Sequence, residues 1–117
     1  MKKIIVVFFA LLIMSTYGCG PKRLYHYGSY SNTLYDYRKD SNHENLMKHI
    51  KEMESIVVES NEQGMRIPPG LYGEMGYMYL KAKNTGKALE YFNRERNLYP
   101  ESIILMDRMI KSTKEGS

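Results

Sequence analysis

Tryptophan is absent from this chain of 117 residues, cysteine occurs once, and there is neither a Gly-rich phosphate loop nor a G-x-S-x-G elbow. The missing motifs leave phosphoryl transfer and serine-type hydrolysis without the residues they need. Histidine supplies no zinc pair. His43 and His49 are six apart and fall on different faces of a helix instead of at H-x3-H spacing, and His26 stands alone among tyrosines. Glu74 and Glu90 read as lone, solvated carboxylates on predicted helices. The chain is therefore expected to be no enzyme, with no catalytic residue, metal, cofactor or small-molecule substrate.

Net charge is also scarce once the first residues are set aside. Lys2 and Lys3 precede an uninterrupted apolar run of 11 residues, Ile4 to Met14, and then Ser15-Thr16-Tyr17-Gly18 leads to Cys19. A positive start, a short apolar run and a small residue before a break make a secretory signal, too short to span a bilayer as a permanent helix. Without Lys2 and Lys3 the basic residues fall from 17 to 15 against 13 acidic ones, a net of +2. The pI of about 9.1 thus overstates the charge of the mature chain, and no nucleic-acid partner is expected.

A lone thiol in an exported chain is free, joined to another molecule, or modified. Cys19 follows a small residue at the end of the apolar run, an arrangement that resembles the lipobox of bacterial lipoproteins, with Thr16 where leucine is commonest. The resemblance implies acylation of Cys19, cleavage after Gly18 and a membrane partner reached through acyl chains. Several chains together exceed the marginal hold of one. Gly20 stands where an aspartate resembles an inner-membrane retention mark, so the outer membrane, facing the periplasm, is the expected location.

With 43% hydrophobic and 26% charged residues in the whole sequence, the chain beyond Gly18 is at most one domain. Residues 19–40 form a Tyr-rich segment in which Tyr25, Tyr27, Tyr30, Tyr35 and Tyr37 crowd together. Tyr30, Leu34 and Tyr37 recur at i, i+4, i+7 and predict a short helix with one apolar face. The rings read either as a cap on the domain or as a docking or sugar-stacking surface, for which Tyr25, Tyr27 and Tyr35 are the candidates. From Ser41 a capping box with Glu44 is expected to open a helix whose apolar face is Leu46, Ile50, Met53 and Val57. Its Lys48, Lys51, Glu52, Glu54 and Glu59 read as a solvated face, and Gly64 as the stop. The connector Arg66-Ile67-Pro68-Pro69-Gly70 is stiff, and if exposed it would suit a proline-recognition partner.

Residues 69–102 carry the densest pattern. Tyr72, Met75, Gly76, Tyr79, Ala88, Phe92 and Pro100 stand in the places of the tetratricopeptide signature W-x2-L-G-x2-Y, A-x3-F, P. Two antiparallel helices approach closely only where side chains are small, so Gly76 and Ala88 are expected at the crossing, with Tyr79 and Phe92 filling beside it. Pro100 ends the second helix, and Asn84-Thr85-Gly86 supplies the turn. Lys83 occupies a place where such repeats usually carry glycine. Residues 35–68 do not read as another complete repeat. A last helix from Glu101 to Lys111 presents Ile103, Ile104, Leu105, Met106, Met109 and Ile110, and residues 112–117 read as a frayed tail. One repeat cannot bury both its faces, so Ile104 and Met109 join the tyrosines as candidate partner contacts. The overall expectation is an all-α domain, spanning 41–111 beyond the Tyr-rich segment, built around one tetratricopeptide-like hairpin.

Cys19, Tyr27-Gly28-x-Tyr30, Leu34-Tyr35, Pro68-Pro69-Gly70-Leu71-Tyr72, Glu74-Met75-Gly76-Tyr77 and Tyr99-Pro100-Glu101-Ser102 together resemble the small bacterial lipoproteins grouped as domain of unknown function 4810. His26 stands where an aromatic such as tryptophan is expected, and Gly73 where alanine is. The resemblance implies a shared envelope complex with a CsgG-like lipoprotein and carries no assigned activity. A lipid-anchored scaffold is the leading expectation, and a module binding peptidoglycan or surface sugars through the tyrosines is the alternative.

Overall fold

The computed structural model describes residues 1–6 and 20–116; the Gly18-Cys19 junction and most of the apolar run lie outside them. Residues 2–6 are helical. Between residues 20 and 116 the chain is all-α, with α1 at Tyr30–Lys39, α2 at His43–Glu62, α3 at Leu71–Lys81, α4 at Thr85–Leu98, a 3-10 turn at Pro100–Ser102 and α5 at Ile103–Glu115. Successive helices pack on one another, α1 on α2, α2 on α3, α3 on α4 and α4 on α5. One core results, built from Leu46, Ile50, Met53 and Ile56 of α2, Leu71, Tyr72, Met75, Met78 and Tyr79 of α3, Ala88 and Phe92 of α4, and Met106 of α5. Each large apolar side chain among these, fully buried, contributes about 1.5–3 kcal/mol.

The α3–α4 hairpin is the tightest part. Gly76 lies against Phe92 and Ala88, all three buried, and a Cβ at Gly76 would sit 2.5 Å from two Phe92 ring carbons and 3.1 Å from the Ala88 carbonyl oxygen. Only glycine permits that approach. The turn between the helices places Lys83 at φ 58°, so the lysine adopts the left-handed conformation that glycine usually supplies. Asn84 N–H then donates to Tyr79 O at 2.9 Å, and the Asn84 side chain accepts from Lys87 N to start α4. Outside this contact Tyr91 stacks on Tyr79 (5.5 Å, 6°) and Tyr72 (5.9 Å, 26°). Lys87 lies over the Tyr79 ring at 4.7 Å and Arg94 over the Tyr91 ring at 5.3 Å.

Neither α1 nor α3 has a side-chain cap of its own at its N-terminus. Each is served instead by a carboxylate from the following helix. Glu95 of α4, only 2% exposed, accepts from Gly70 N at 2.7 Å and from Gly73 N at 3.3 Å. Glu52 of α2 accepts from Ser29 N at 2.5 Å, where the backbone passes through Gly28 at φ +44°. A carboxylate facing unpaired N–H groups at the positive end of a helix satisfies donors and dipole together.

Several local expectations need correction. The cap of α2 is Asn42, which accepts from Asn45 N at 2.8 Å, while Ser41 donates to Tyr37 O; no Ser41–Glu44 box forms, because Ser41 is taken up in closing α1. The charged face of α2 is not simply solvated: Glu52 caps α1, Glu54 accepts from the Tyr79 hydroxyl, and Glu59 lies 2.8 Å from His26. Pro68 is fully buried and Tyr99 donates to the Ile67 carbonyl, so Ile67 and Pro68 of the connector are packed structure, while Arg66, Pro69 and Gly70 are exposed. The tail expected at 112–117 is helical as far as Glu115, with Thr113 buried and donating to Met109 O at 2.7 Å. Gly64, by contrast, is the stop of α2 at φ +63°, with Met65 N donating to Ser60 O.

Gly76→Ala should therefore lower stability by about 1–3 kcal/mol through overpacking. Gly73→Ala, whose Cβ would come closest to the movable Met106 methyl at 3.3 Å and otherwise make ordinary contact with Glu95 Cγ and Met106 Sδ at 3.6 Å, should be neutral or stabilising by up to ~1 kcal/mol. Urea denaturation of the two variants checks this, and equal midpoints would remove the close approach as the cause. By the same measurement, Glu95→Ala should cost about 1–3 kcal/mol, since it strands two amide donors. Glu52→Ala, at a more exposed cap, should cost about 0.5–1 kcal/mol.

Candidate interaction surface

Beneath the Tyr-rich segment lies a buried polar chain. His49 of α2 is completely enclosed; its Nδ1 is 2.8 Å from Thr33 Oγ1 on α1 and its Nε2 3.3 Å from Glu74 Oε1 on α3. Tyr30 donates its hydroxyl to the other Glu74 oxygen, and its ring lies 5.3 Å from the imidazole. Burial pushes the Glu74 carboxyl up, but the His49 and Tyr30 hydrogen bonds outweigh it and hold the group below its ordinary value. Burial and the same carboxylate push the Tyr30 hydroxyl well above its usual range. Hydroxyl, imidazole and carboxylate thus follow one another in the order of a catalytic triad. Thr33 and His49 are both buried, however, and the Thr33 hydroxyl also lies 3.1 Å from the Tyr30 carbonyl. Thr33 of α1, His49 of α2 and Glu74 of α3 are thus joined in one run of hydrogen bonds that ties three helices together.

That tie divides the tyrosines. Tyr30 and Tyr37 pack on the core, whereas Tyr27 and Tyr35 are 51% and 64% exposed. Tyr25 is half-buried and pairs with Arg66 in an isolated parallel bridge. The rings of Tyr25, Tyr27 and Tyr30 meet edge to face at 6.2 and 6.4 Å, so Tyr27 stands on a fixed base. Arg23, Leu24, Tyr25, His26, Tyr27 and Gly28 border a hollow of about 500 Å³.

The second apolar surface is on α5. Met106 is buried and Met109 packs half-buried against the core, while Ile104 and Leu105 are 71% and 58% exposed. Leu105, Met106 and Met109 share a cleft of about 290 Å³ with Gly73, Tyr77, Phe92 and Glu95. Of the sequence-predicted contacts, Tyr27, Tyr35 and Ile104 are thus outward, Tyr25 and Met109 are partly inward, and Gly76, Ala88 and Phe92 are core. Pro100 opens the 3-10 turn after α4, and Cys19 lies outside the described residues. Sequence patterns do not announce the contacts of Glu95, Glu52, His49 and Thr33. The one signal for the two glutamates is a glycine turn followed 24 or 25 residues later by glutamate, Gly28 to Glu52 and Gly70 to Glu95. Among the described residues there is no cluster of three or more His, Cys, Asp or Glu side chains able to hold a metal, and no helix is long and apolar enough to cross a membrane.

No curated protein and no solved structure matches the chain. One family model does, over residues 24–109, and it takes in both helical hairpins, the tyrosines from Tyr25 onward and α5 as far as Met109. With most of its length so matched, the chain belongs to the family described as Domain of unknown function (DUF4810).

Proposed function

We propose that this protein is a lipid-anchored adaptor of the bacterial cell envelope, attached through acyl chains on Cys19 to the outer membrane and facing the periplasm. Its helical domain binds another envelope protein, with a CsgG-like lipoprotein as the first candidate, and its α3–α4 hairpin is of the tetratricopeptide type. The observation that carries the reading is the placing of Tyr27 and Tyr35. Both are exposed, and both belong to a segment locked to the core through Tyr30, Thr33, His49 and Glu74. Rigid aromatic side chains on a preorganised base are the usual anchors of protein interfaces.

A second reading, a glycan-binding module, draws on the hollow beside Arg23, Tyr25, His26 and Tyr27. The ring geometry favours protein over sugar. Sugar stacking needs a flat, open ring face, but Tyr25, Tyr27 and Tyr30 turn edges to one another. The parallel rings, Tyr72, Tyr91 and Tyr79, lie in the hairpin with cations already over them.

The test is co-purification from detergent-solubilised membranes, run beside peptidoglycan sedimentation. Tyr27→Ala and Tyr35→Ala should each weaken capture of the partner by about 2 kcal/mol or more with melting temperatures within a few degrees of the parent. Tyr30→Ala should instead lower the melting temperature. Loss of sedimentation with every protein partner retained would transfer the surface to the glycan reading. Cys19→Ser should abolish incorporation of a palmitate analogue and move the protein out of the membrane fraction, and unchanged labelling would contradict the anchor.

A further inference from the structure

The outward stripe of α5 and the turn before it carries Glu101, Ile104, Leu105 and Arg108, at i, i+3, i+4 and i+7, all exposed. The charged ends of the stripe are unused: among the described residues neither Glu101 nor Arg108 has an ion-pair partner, whereas Asp107, on the neighbouring face, is held by Arg96 at 2.6 Å. The spacing has a symmetry. Glu101 and Arg108 lie equally far, in opposite directions along the chain, from the midpoint between Ile104 and Leu105. A two-fold axis through that midpoint, with helices antiparallel, brings Ile104 of each copy onto Leu105 of the other. It also brings Glu101 of each copy beside Arg108 of the other.

We propose that α5 joins two copies of this chain in an antiparallel, isologous pair centred on Ile104 and Leu105 and closed by two Glu101–Arg108 ion pairs. A two-fold contact must be self-complementary, and this stripe is so in both charge and apolarity. The occupant of the exposed face is thus identified by the face itself. An acidic or basic partner helix would satisfy one end of the stripe and repel at the other. A crossing of two short helices covers less than the roughly 1,200 Å² of a stable standard interface, so the pair is concentration-dependent and is strengthened wherever copies are confined together. Neither Cys19 nor the exposed tyrosines take part, so the pair is independent of the adaptor reading.

The full chain, purified in detergent micelles, is followed by sedimentation velocity across a concentration series, with circular dichroism recorded for every variant. The parent should pass from monomer to dimer. Ile104→Asp should hold it monomeric. Glu101→Arg and Arg108→Glu should each weaken association at least about tenfold, since each puts like charges opposite one another twice. The double variant Glu101→Arg with Arg108→Glu should restore the parent's affinity while all variants keep the parent's helicity. A parent that stays monomeric throughout overturns the proposal, as does a double variant no better than the singles. Equal dimerisation of parent and Ile104→Asp places any dimer elsewhere and also overturns it. Partner capture through Tyr27 and Tyr35 is read separately, so failure of one claim leaves the other standing or falling by its own data.

Discussion

A carboxylate set against the start of the preceding helix is the contact on which this fold turns. Glu95 reaches from α4 to the amides of Gly70 and Gly73, and Glu52 reaches from α2 to that of Ser29. In each hairpin the second helix thereby fixes where the first begins. The buried N–H donors of a helix terminus must find acceptors, and here the acceptors come from a distance in sequence. Helix boundary and hairpin geometry therefore form together. Gly76 then lets α3 and α4 close until Phe92 rests on the backbone, and the core grows outward from that crossing through Met75, Met78 and Ile50.

What this rigidity positions is the outer layer. Tyr30 and Thr33 look inward to His49 and Glu74, and this anchors α1 by hydrogen bonds as well as by apolar contact. Buried polar chains of this kind strengthen one arrangement over its neighbours when every member is satisfied. Tyr27 and Tyr35, close by in the chain, are consequently presented outward from a fixed frame. At the end of the chain, α5 buries Met106 and leaves Ile104 and Leu105 in solvent. The two exposed surfaces thus arise from the same economy of a small domain, which has one face too many for its core.

The hairpin of residues 71–98 was legible because its determinants are local: small residues at Gly76 and Ala88, turn formers at Asn84 and Gly86, and proline at 100. Lys83 departs from glycine, yet it takes the left-handed conformation the turn requires, since the hydrogen bonds around it close only that way. The caps Glu52 and Glu95 were not legible, because their partners are backbone amides more than twenty residues away and the local pattern counts them as polar-face residues. The spacing of His49 to His43 says nothing of its place, which is set by Thr33 and Glu74 on other helices. Thr113 looked like tail because Lys111 to Ser117 is polar. Its burial depends on α5 lying along α4, beside Leu80 and Thr85 at the hairpin turn. In the candidate surface, Tyr35 falls off the Tyr30, Leu34, Tyr37 stripe and is exposed, but periodicity does not divide the apolar residues of α5, and the inward turn of Tyr25 depends on Arg66 across the chain.

The central claim is that this domain is a fixed frame whose outward tyrosines are occupied in the envelope. Hydroxyl-radical footprinting of the protein in intact envelopes and after purification tests that directly. Tyr72 and Tyr79, buried in the hairpin, should be protected in both states, while Tyr27 and Tyr35 should be protected in envelopes and reactive once purified. Equal reactivity of Tyr27 and Tyr35 in the two states would contradict the account.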